Sequence, residues 1–520
     1  MPLATIGEMY LGAIDGKHEY VDGSVARKPH FDSFVMPSNI DQRDLLTGGV
    51  YLVQGFRGTG KTSLLRWVAM KLRDQGALGS VILFKSDISE SKRIEISKSV
   101  GAELVEVNSE KMGISQDFKE AWRWFLHRKI CEILIEGKGV EDTPEFQRYT
   151  KLVGLGDQTW FEKAIAGLPR FEKARIRVKS LFDFVSAEVD ADIKGGATPS
   201  VLVSTVIEKL DTYLARIKLR KSVFLCLDEL EVFYHTHDQH KRDICMVRDL
   251  LFAAASLTEF CRQKSQDVKF FAGIRTEVMD AMGSDGQELS RLVEDCGVKI
   301  AWHHEKRSVK HQLFNIVRRK IWSSEAKVGL DLTQDPVAYY FPAKVGGVDL
   351  DAYLLDQSFY KPRDLILRLR LAQDADKSQA TFSSANFERT EKQYSAKMWE
   401  EVTYELSATY TQDEVRAIEG LFIGQRATFD RNELAQRLRI AASTNRIADG
   451  IQWKRGGVDR LLNSLYRIGA IGNVFAEDSV TKQRWVFRGD PHLDSNHRMG
   501  LHGAFSAHLS VARSRKIRSL

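Results

Sequence analysis

The sequence predicts an α/β protein in which helices cover both faces of a parallel sheet. Short runs that are apolar on both faces and rich in β-branched residues recur at residues 50–53, 81–84, 223–227, 268–274 and 298–302. Segments with the apolar spacing of helices lie between these runs. Parallel strands that are buried on both faces produce such continuous runs, whereas half-exposed antiparallel strands alternate apolar and polar residues.

The composition indicates a globular, cytoplasmic chain with more than one domain. The 520 residues are 43% hydrophobic and 10% aromatic. That is enough for about two to four domains at roughly 100–200 residues each. No run approaches the roughly 18 apolar residues of a membrane span, and the N-terminus has no secretory apolar stretch. The five cysteines form no C-x-x-C pair, which argues against a disulfide framework or a zinc ribbon.

A phosphate-binding loop is the sharpest motif. Residues 55–62, GFRGTGKT, match G-x-x-x-x-G-K-[ST] between the first predicted strand and a helix. The main-chain N–H groups of such a loop wrap the α- and β-phosphates of a nucleotide. Lys61 is expected to reach the β- and γ-phosphate oxygens, and the Thr62 hydroxyl to ligate Mg²⁺. The predicted cofactor-binding residues are Gly55, Phe56, Arg57, Gly58, Thr59, Gly60, Lys61, Thr62 and Ser63.

Two acids directly follow the third apolar run. Because ligands of open α/β sheets bind at the carboxyl ends of the strands, Asp228 and Glu229 are expected to face that crevice. Asp228 is the predicted Mg²⁺ ligand, acting through a water molecule. Glu229 is the predicted catalytic residue that polarises the attacking water. Glu231 is a less favoured candidate for the same base.

Together with Lys61, two arginines complete the predicted catalytic set. Arg275 ends the fourth run and is expected to sense the γ-phosphate together with Thr276. Arg363 lies in the first turn of a predicted helix, where the dipole disfavours a cation, so a nearby anion would explain it. The alternative for both is a surface arginine or one paired with a local acid. Arg291 is a further candidate, as a finger acting across a subunit interface.

Changes in pattern divide the chain into an N-terminal arm (1–30), a P-loop core (31–310) with an insertion at about 137–199, a helical lid (311–408), and a C-terminal domain with a basic tail (409–520). In the last domain the predicted helices are 414–422, 431–438 behind an Asp430 N-cap, and 458–468. Two strand-like pieces follow, at 470–475 and 484–487, around a polar turn. This order is the winged-helix arrangement.

The excess of positive charge lies in the last fifth of the chain. Residues 421–520 hold 17 Lys and Arg against 8 Asp and Glu, whereas the residues before them hold 59 against 62. Such a segment suits a phosphate backbone, and a solvated charged face without a partner is the alternative. The predicted duplex-DNA contacts are Lys454, Arg455, Arg460 and Arg467 around the reading helix, Arg484 and Arg488 in the wing, and Arg513, Arg515, Lys516 and Arg518 in the tail.

These motifs together resemble the STAND and origin-recognition-like branch of the AAA+ ATPases. The likeness lies in the GxxxxGKT loop, the acids after the third strand, the strand ending in Arg275, and the KPRD helix start at 361–364 before a winged helix. Over roughly residues 30–130 and 200–510, the chain is also similar to bacterial stand-alone P-loop ATPases often found in mobile and phage-defence loci. Residues 359–367, 392–395 with Glu405 beyond them, and 465–472 carry this narrower likeness.

The resemblance implies ATP rather than GTP as the nucleotide, and a helical lid whose Arg363 touches it. Hydrolysis would then move the lid against the core. One departure from the family pattern matters. Typical AAA+ members carry Asn, Ser or Thr at the position of Arg275, whereas STAND proteins carry Arg there. This favours a switch, acting as a homo-oligomer or alone, over a ring-type motor.

Two functions fit these features. The first is an Mg²⁺-dependent ATP-hydrolysing switch that binds duplex DNA through the winged helix, within an antiphage defence system. The second is an ATP-binding sensor or scaffold that holds a protein partner through the same domain and recruits an effector protein in trans. Salt dependence separates the two, because DNA binding through several phosphates weakens steeply as salt rises.

Overall fold

The computed structural model describes residues 3–19, 33–89, 91, 93, 118–153, 171–172, 175–176, 201–230, 237–282, 285–303, 308–407, 409–453, 456–477 and 480–511. The chain forms two compact units. The sheet unit contains residues 41–55 and 64–299, and the C-terminal unit contains residues 1–40, 56–63 and 300–520. By its contacts, the phosphate-binding loop therefore belongs to the unit that also contains the lid and the winged helix.

Up to residue 300, strands and helices alternate. The strands are β1 (Leu52–Gly55), β2 (Leu78–Leu83), β3 (Phe171–Glu172), β4 (Arg175–Ile176), β5 (Val201–Leu202), β6 (Val223–Leu230), β7 (Val268–Arg275) and β8 (Gly297–Lys299). The helices are α1 (Gly16–Glu19), α2 (Gln42–Thr47), α3 (Lys61–Asp74), α4 (Phe84–Asp87), α5 (Lys119–Glu136), α6 (Pro144–Val153), α7 (Val203–Arg216), α8 (His237–Gln263), α9 (Thr276–Ala281) and α10 (Asp285–Cys296).

A five-stranded parallel sheet in the order β2-β6-β7-β1-β8 forms the core of the sheet unit. The side chains of β6 are buried from Val223 to Asp228. Helix α8 packs against β7, and α5 packs against β2 and β6. The predicted α/β class is confirmed. The short strands β3, β4 and β5 form a separate antiparallel sheet in and beside the predicted insertion, most of which lies outside the described residues.

From residue 300 the first segment is mainly helical. Its helices are α11 (Gln312–Lys327), α12 (Pro336–Tyr340), α13 (Leu350–Gln357), α14 (Pro362–Ala375), α15 (Ser384–Arg389) and α16 (Glu391–Leu406), and its strands β9 (Lys344–Val345) and β10 (Val348–Asp349) pair antiparallel. Arg368 is fully buried among them and donates to Tyr353 Oη at 2.6 Å. The N-terminal residues join this helical domain, because Gln373 Nε2 donates to the carbonyls of Ile6 and Met9 at 2.6 and 2.9 Å.

A winged-helix domain follows. Its helices are α17 (Gln412–Gly420), α18 (Arg431–Thr444), α19 (Arg446–Trp453) and α20 (Gly457–Ile468), and its strands are β11 (Thr428–Phe429), β12 (Ile471–Glu477), β13 (Val480–Arg484) and β14 (Arg498–Leu501). The strands form one antiparallel sheet in the order β11-β14-β12-β13. Asp430 caps α18 as predicted, in a capping box with Glu433.

The wing differs in detail from the prediction. The second strand is β13, which ends at Arg484, whereas residues 484–487 were expected to be that strand. Residues Val486–Arg488 form a 3₁₀ turn instead, and the expected polar turn largely belongs to the strand. The apolar residues Trp485 and Phe487 caused the difference, because they are buried as turn residues rather than as an alternating strand face. Among the described helices, none has the length and apolar character needed to cross a membrane.

Candidate functional site

The loop between β1 and α3 has the form that phosphate binding requires. β1 ends at Gly55 and α3 begins at Lys61. Gly58 and Gly60 have φ values of +82° and +99°, a region that L side chains rarely adopt. The Phe56 carbonyl accepts hydrogen bonds from Thr59 Oγ1 and Lys61 Nζ, both at 2.9 Å. The lysine therefore lies folded over its own loop, where it can exchange this carbonyl for phosphate oxygens.

The lid helix α14 begins directly against this loop. The main-chain N–H of Arg363 donates to the Gly58 carbonyl at 3.3 Å. A Cβ atom on Gly58 would lie 3.1 Å from Cβ of Arg363, so a side chain at position 58 would crowd Arg363. On the other side, Trp302 Nε1 donates to the Thr59 carbonyl at 3.0 Å. The structure thus brings Arg363 to the loop that the sequence assigned to phosphate.

Beside the loop, Glu401 of α16 forms ion pairs with Arg57 and Arg363. Its carboxylate lies 2.7 Å from the Arg363 guanidinium and 2.8 Å from that of Arg57. The Arg57 guanidinium also lies 4.6 Å from the centre of the Tyr404 ring. The local acid that pairs with Arg363 is therefore Glu401 rather than Asp364. Asp364 is buried nearby, and burial raises the pKa of its carboxyl to about 6 against the opposing field of Lys361 and Arg363.

The two predicted acids lie at the carboxyl end of β6, in the sheet unit. Asp228 is buried and pairs in register with Leu83 at the end of β2. The pairing of β6 with β7 shifts between Leu227 and Leu230, and Glu229 within that shift has a φ of +53°. Such a bulge turns a side chain away from the regular strand pattern. Ser86 Oγ donates to Glu229 Oε2 at 2.6 Å and holds the carboxylate.

Arg275 is the last residue of β7, beside the strand that leads into the loop. It pairs in register with Gly55, and both Arg275 and Thr276 are buried. The Thr276 hydroxyl has no hydrogen-bond partner among the described residues. A buried hydroxyl without a partner costs about 1–3 kcal/mol, so a ligand or a water molecule is needed to satisfy it. This site fits a phosphate or its hydration shell.

The donor set fits Mg²⁺ and a nucleotide. Carboxylate and hydroxyl oxygens, as in Asp228 and Thr62, are the ligands that Mg²⁺ takes, together with waters and phosphate oxygens. Sequence reasoning missed Ser86 and Glu401. A serine that follows β2 carries no pattern of its own, and Glu401 is one of several acids on α16. Only the folded contacts single them out.

The predicted DNA contacts are partly described. Arg460 and Arg467 are exposed on α20, whose opposite face buries Leu461 and Leu465. Arg484 is exposed at the end of β13, with its guanidinium 4.9 Å from the Phe475 ring centre. Lys454, Arg455 and the tail residues Arg513, Arg515, Lys516 and Arg518 lie outside the described residues.

Arg488 is not in the wing hairpin. It lies in the 3₁₀ turn, with its guanidinium 3.8 Å from Asp356 and 5.1 Å from the centre of the Tyr360 ring. Its placement in the wing is wrong, because the strand ends four residues earlier, at Arg484. Arg291 is exposed on α10.

Comparisons with known proteins give a family match and a likeness to solved structures. A family described as the FunZ-associated C-terminal helical domain matches residues 311–403, the segment of α11 to α16. Among solved structures, Cdc6p from Pyrobaculum aerophilum is similar at 10% identity over 92% of this chain and 97% of that chain, with a TM-score of 0.30. No curated protein matches. The family match agrees with the helical character of residues 311–403 in the structure.

Proposed function

We propose that this protein is an Mg²⁺-dependent ATPase that acts as a nucleotide-controlled switch and binds duplex DNA through its winged helix. The loop of residues 55–63 binds the triphosphate. Asp228 and Thr62 hold the metal ion, which when bound would neutralise phosphate charge. Glu229 orients and polarises the attacking water, and Arg275 with Thr276 senses the terminal phosphate.

One observation supports this proposal above the others. At the carboxyl edge of one parallel sheet, β1 ends in the phosphate-binding loop, β6 ends in Asp228 and Glu229, and β7 between them ends in Arg275. Ligands of open parallel sheets bind at this edge. The partnerless Thr276 hydroxyl at the same edge is a second sign of a polar ligand.

Duplex DNA as the partner is supported by the exposed basic face of the winged helix. Arg460 and Arg467 are seven positions apart in α20, which places them on one helix face. Arg484 adds a third exposed cation at the wing. A helix of this kind enters the major groove while the wing contacts the backbone. The resemblance to defence-locus ATPases supports a role for the nucleotide switch within an antiphage defence system.

A protein partner is the second candidate. Exposed isoleucines on α18 and α19, Ile440 at 62% and Ile447 at 37% of their full exposure, favour it. In that case the chain is an ATP-binding sensor or scaffold that recruits an effector in trans. Raised salt would weaken the DNA complex steeply and leave an apolar protein contact nearly unchanged.

The test is ATP turnover and ATP binding of wild type, Lys61→Ala and Glu229→Gln, each with and without duplex DNA. Lys61→Ala is expected to lose ATP binding. Glu229→Gln is expected to keep ATP binding while its turnover falls by about 10²-fold or more. Lys264→Ala and Glu259→Gln make the same charge changes at exposed sites of the sheet unit and serve as controls.

Wild-type turnover in both active-site variants would overturn the ATPase assignment. If DNA changes neither the turnover nor the assembly of wild type, and does not bind it, the DNA part is overturned and the protein-partner function takes its place.

A further inference from the structure

The Glu401 carboxylate forms ion pairs with two arginines at the phosphate-binding loop. Arg57 is one of the variable residues of the loop, and Arg363 begins the lid helix against Gly58. The Glu401 carboxylate contacts both guanidinium groups, through Oε2 to Arg57 at 2.8 Å and through Oε1 to Arg363 at 2.7 Å. All three side chains are about one-quarter to one-third exposed, so the pairs are open to exchange with another anion.

The helix that carries Glu401 also contacts the last part of the chain. Ser395 Oγ accepts a hydrogen bond from the His508 N–H at 2.9 Å. The Trp399 ring packs edge-on against Phe505, with ring centres 5.4 Å apart. Trp399 and Glu401 are two positions apart and lie on nearly opposite faces of α16, since each residue turns the helix by about 100°. One face of α16 therefore meets the loop and the other meets the C-terminal segment.

We propose that Glu401 is an internal competitor of the nucleotide, which holds Arg57 and Arg363 when no phosphate is bound and releases them when a triphosphate enters the loop. This inference rests on the proposed function and adds a residue that sets nucleotide affinity. Because Glu401 lies on α16, its release would also change the position of α16 and the contacts that Ser395 and Trp399 make with the C-terminal segment.

Charge explains the competition. The three side chains carry a net charge of about +1, so one carboxylate leaves part of the positive charge unmatched. A triphosphate offers more negative charge and several acceptor oxygens, and arginine binds phosphate through paired hydrogen bonds as well as it binds carboxylate. Removing the Glu401 charge should therefore free both arginines for phosphate and strengthen binding.

The experiment measures the affinity for MgATP with a fluorescent label on the ribose, by titration of the full chain. Glu401→Gln is isosteric and is expected to bind about threefold to tenfold more tightly than wild type, the range of a partly exposed, doubly bonded ion pair. Glu400→Gln removes the same charge from an exposed neighbouring position on α16 and is expected to stay within about twofold of wild type.

A third variant, Glu401→Gln with Arg363→Ala, tests whether the released arginines cause the gain in affinity. The gain in affinity should shrink in this double variant, because one of the two released arginines is absent and only Arg57 remains to contact the phosphates. Glu401→Asp keeps the charge on a shorter side chain, and a smaller gain in the same direction is expected. Melting temperatures of all variants show whether each one is folded.

Equal affinity of Glu401→Gln and Glu400→Gln, or weaker binding by folded Glu401→Gln, overturns the inference. So does a gain that is as large without Arg363 as with it. Its failure is distinct from that of the proposed function. If wild type binds ATP and Lys61→Ala does not, the function stands whatever Glu401 does. If wild type itself binds no ATP, the function and the inference fall together.

Discussion

Glu229 has a φ of +53°, a value that glycine adopts readily and glutamate rarely. Strain of this kind costs about 1–3 kcal/mol and persists where the surrounding structure fixes it, often at functional sites. The bulge at the end of β6 and the hydrogen bond from Ser86 fix it here. The buried Thr276 hydroxyl, for which the described residues supply no hydrogen-bond partner, is a second feature that is expected to lower stability. Both features are expected of residues selected for a ligand.

We expect Thr276→Val to lower ATP turnover by about tenfold or more while the protein keeps its stability or gains roughly 1 kcal/mol, because the substitution removes a buried hydroxyl that has no hydrogen-bond partner in the described part of the chain. ATP turnover checks the predicted loss of activity, and the melting temperature checks the predicted stability. Thr258→Val is the matched control, since the Thr258 hydroxyl is buried but bonds the Ala254 carbonyl at 2.7 Å. The control should lose stability and keep turnover; the opposite ranking of the two variants would contradict the assignment.

At the scale of the element, α20 has a buried apolar face and an exposed basic face. Its buried face consists of Val458, Leu461, Leu462, Leu465 and Tyr466, which hold the helix in the winged-helix core. Its outer face carries the exposed Arg460 and Arg467. Left-handed glycines at positions 456 and 469 bound the helix at both ends. The outer face therefore points away from the core, as the proposed contact with DNA requires.

Arg460→Ala and Arg467→Ala are each expected to weaken duplex-DNA binding and to reduce the salt dependence of the binding constant by about one unit of slope, because each removes one phosphate contact. Titration of labelled duplex at several salt concentrations measures both. Arg416→Ala is the control, since Arg416 is exposed on α17 of the same domain, beside Asp413. Unchanged salt slopes in both variants would assign this face to another partner.

Element positions followed from the sequence where one local rule decides them. The loop pattern, the apolar run before Asp228 and the Asp430 cap each give a strand or helix end. Helix α19 and strands β11 and β14 were not predicted. Both strands are short or depend on pairing with distant residues, as in Thr428 with Gly500. Such pairing leaves no periodic signal in the chain.

The site was predictable to the same extent. Its loop and acids follow sequence patterns, so Lys61, Thr62, Asp228 and Glu229 could be named in advance, although their joint role stays a prediction. Glu401 and Ser86 could not, because a glutamate on a polar helix face and a serine after a strand are ordinary until the fold brings partners to them.

At the scale of the C-terminal unit, a strained segment just before α14 packs against the winged-helix domain. Phe359 and Tyr360 have φ values of +50° and +53° just before α14. The Phe359 ring stacks on His502 with ring centres 3.6 Å apart and meets Phe487 edge-on at 5.3 Å. Burial, followed by the charges of Arg488 and Lys361, lowers the pKa of His502 well below its usual value, so this ring is neutral at physiological pH. The segment just before the lid helix is thus packed against the winged-helix domain.

Phe359→Leu is expected to uncouple the two ligands. In wild type, ATP should change DNA affinity, and DNA should change ATP affinity by the same factor, because linkage between two binding sites is reciprocal. Loss of the aromatic stack should bring that factor toward one while each ligand alone binds about as in wild type. Titrations of each ligand with and without the other measure it. An unchanged factor in the folded variant would place the coupling elsewhere.

The missing side chain of Gly58 makes the evolution of the loop depend on Arg363, a residue far along the chain. The general loop pattern leaves this position variable, yet here the side chain of Arg363 lies where a side chain at position 58 would be. A larger residue at position 58 is therefore expected to crowd Arg363 at the start of α14. Among descendants of this chain, the two positions should therefore change together or remain as they are.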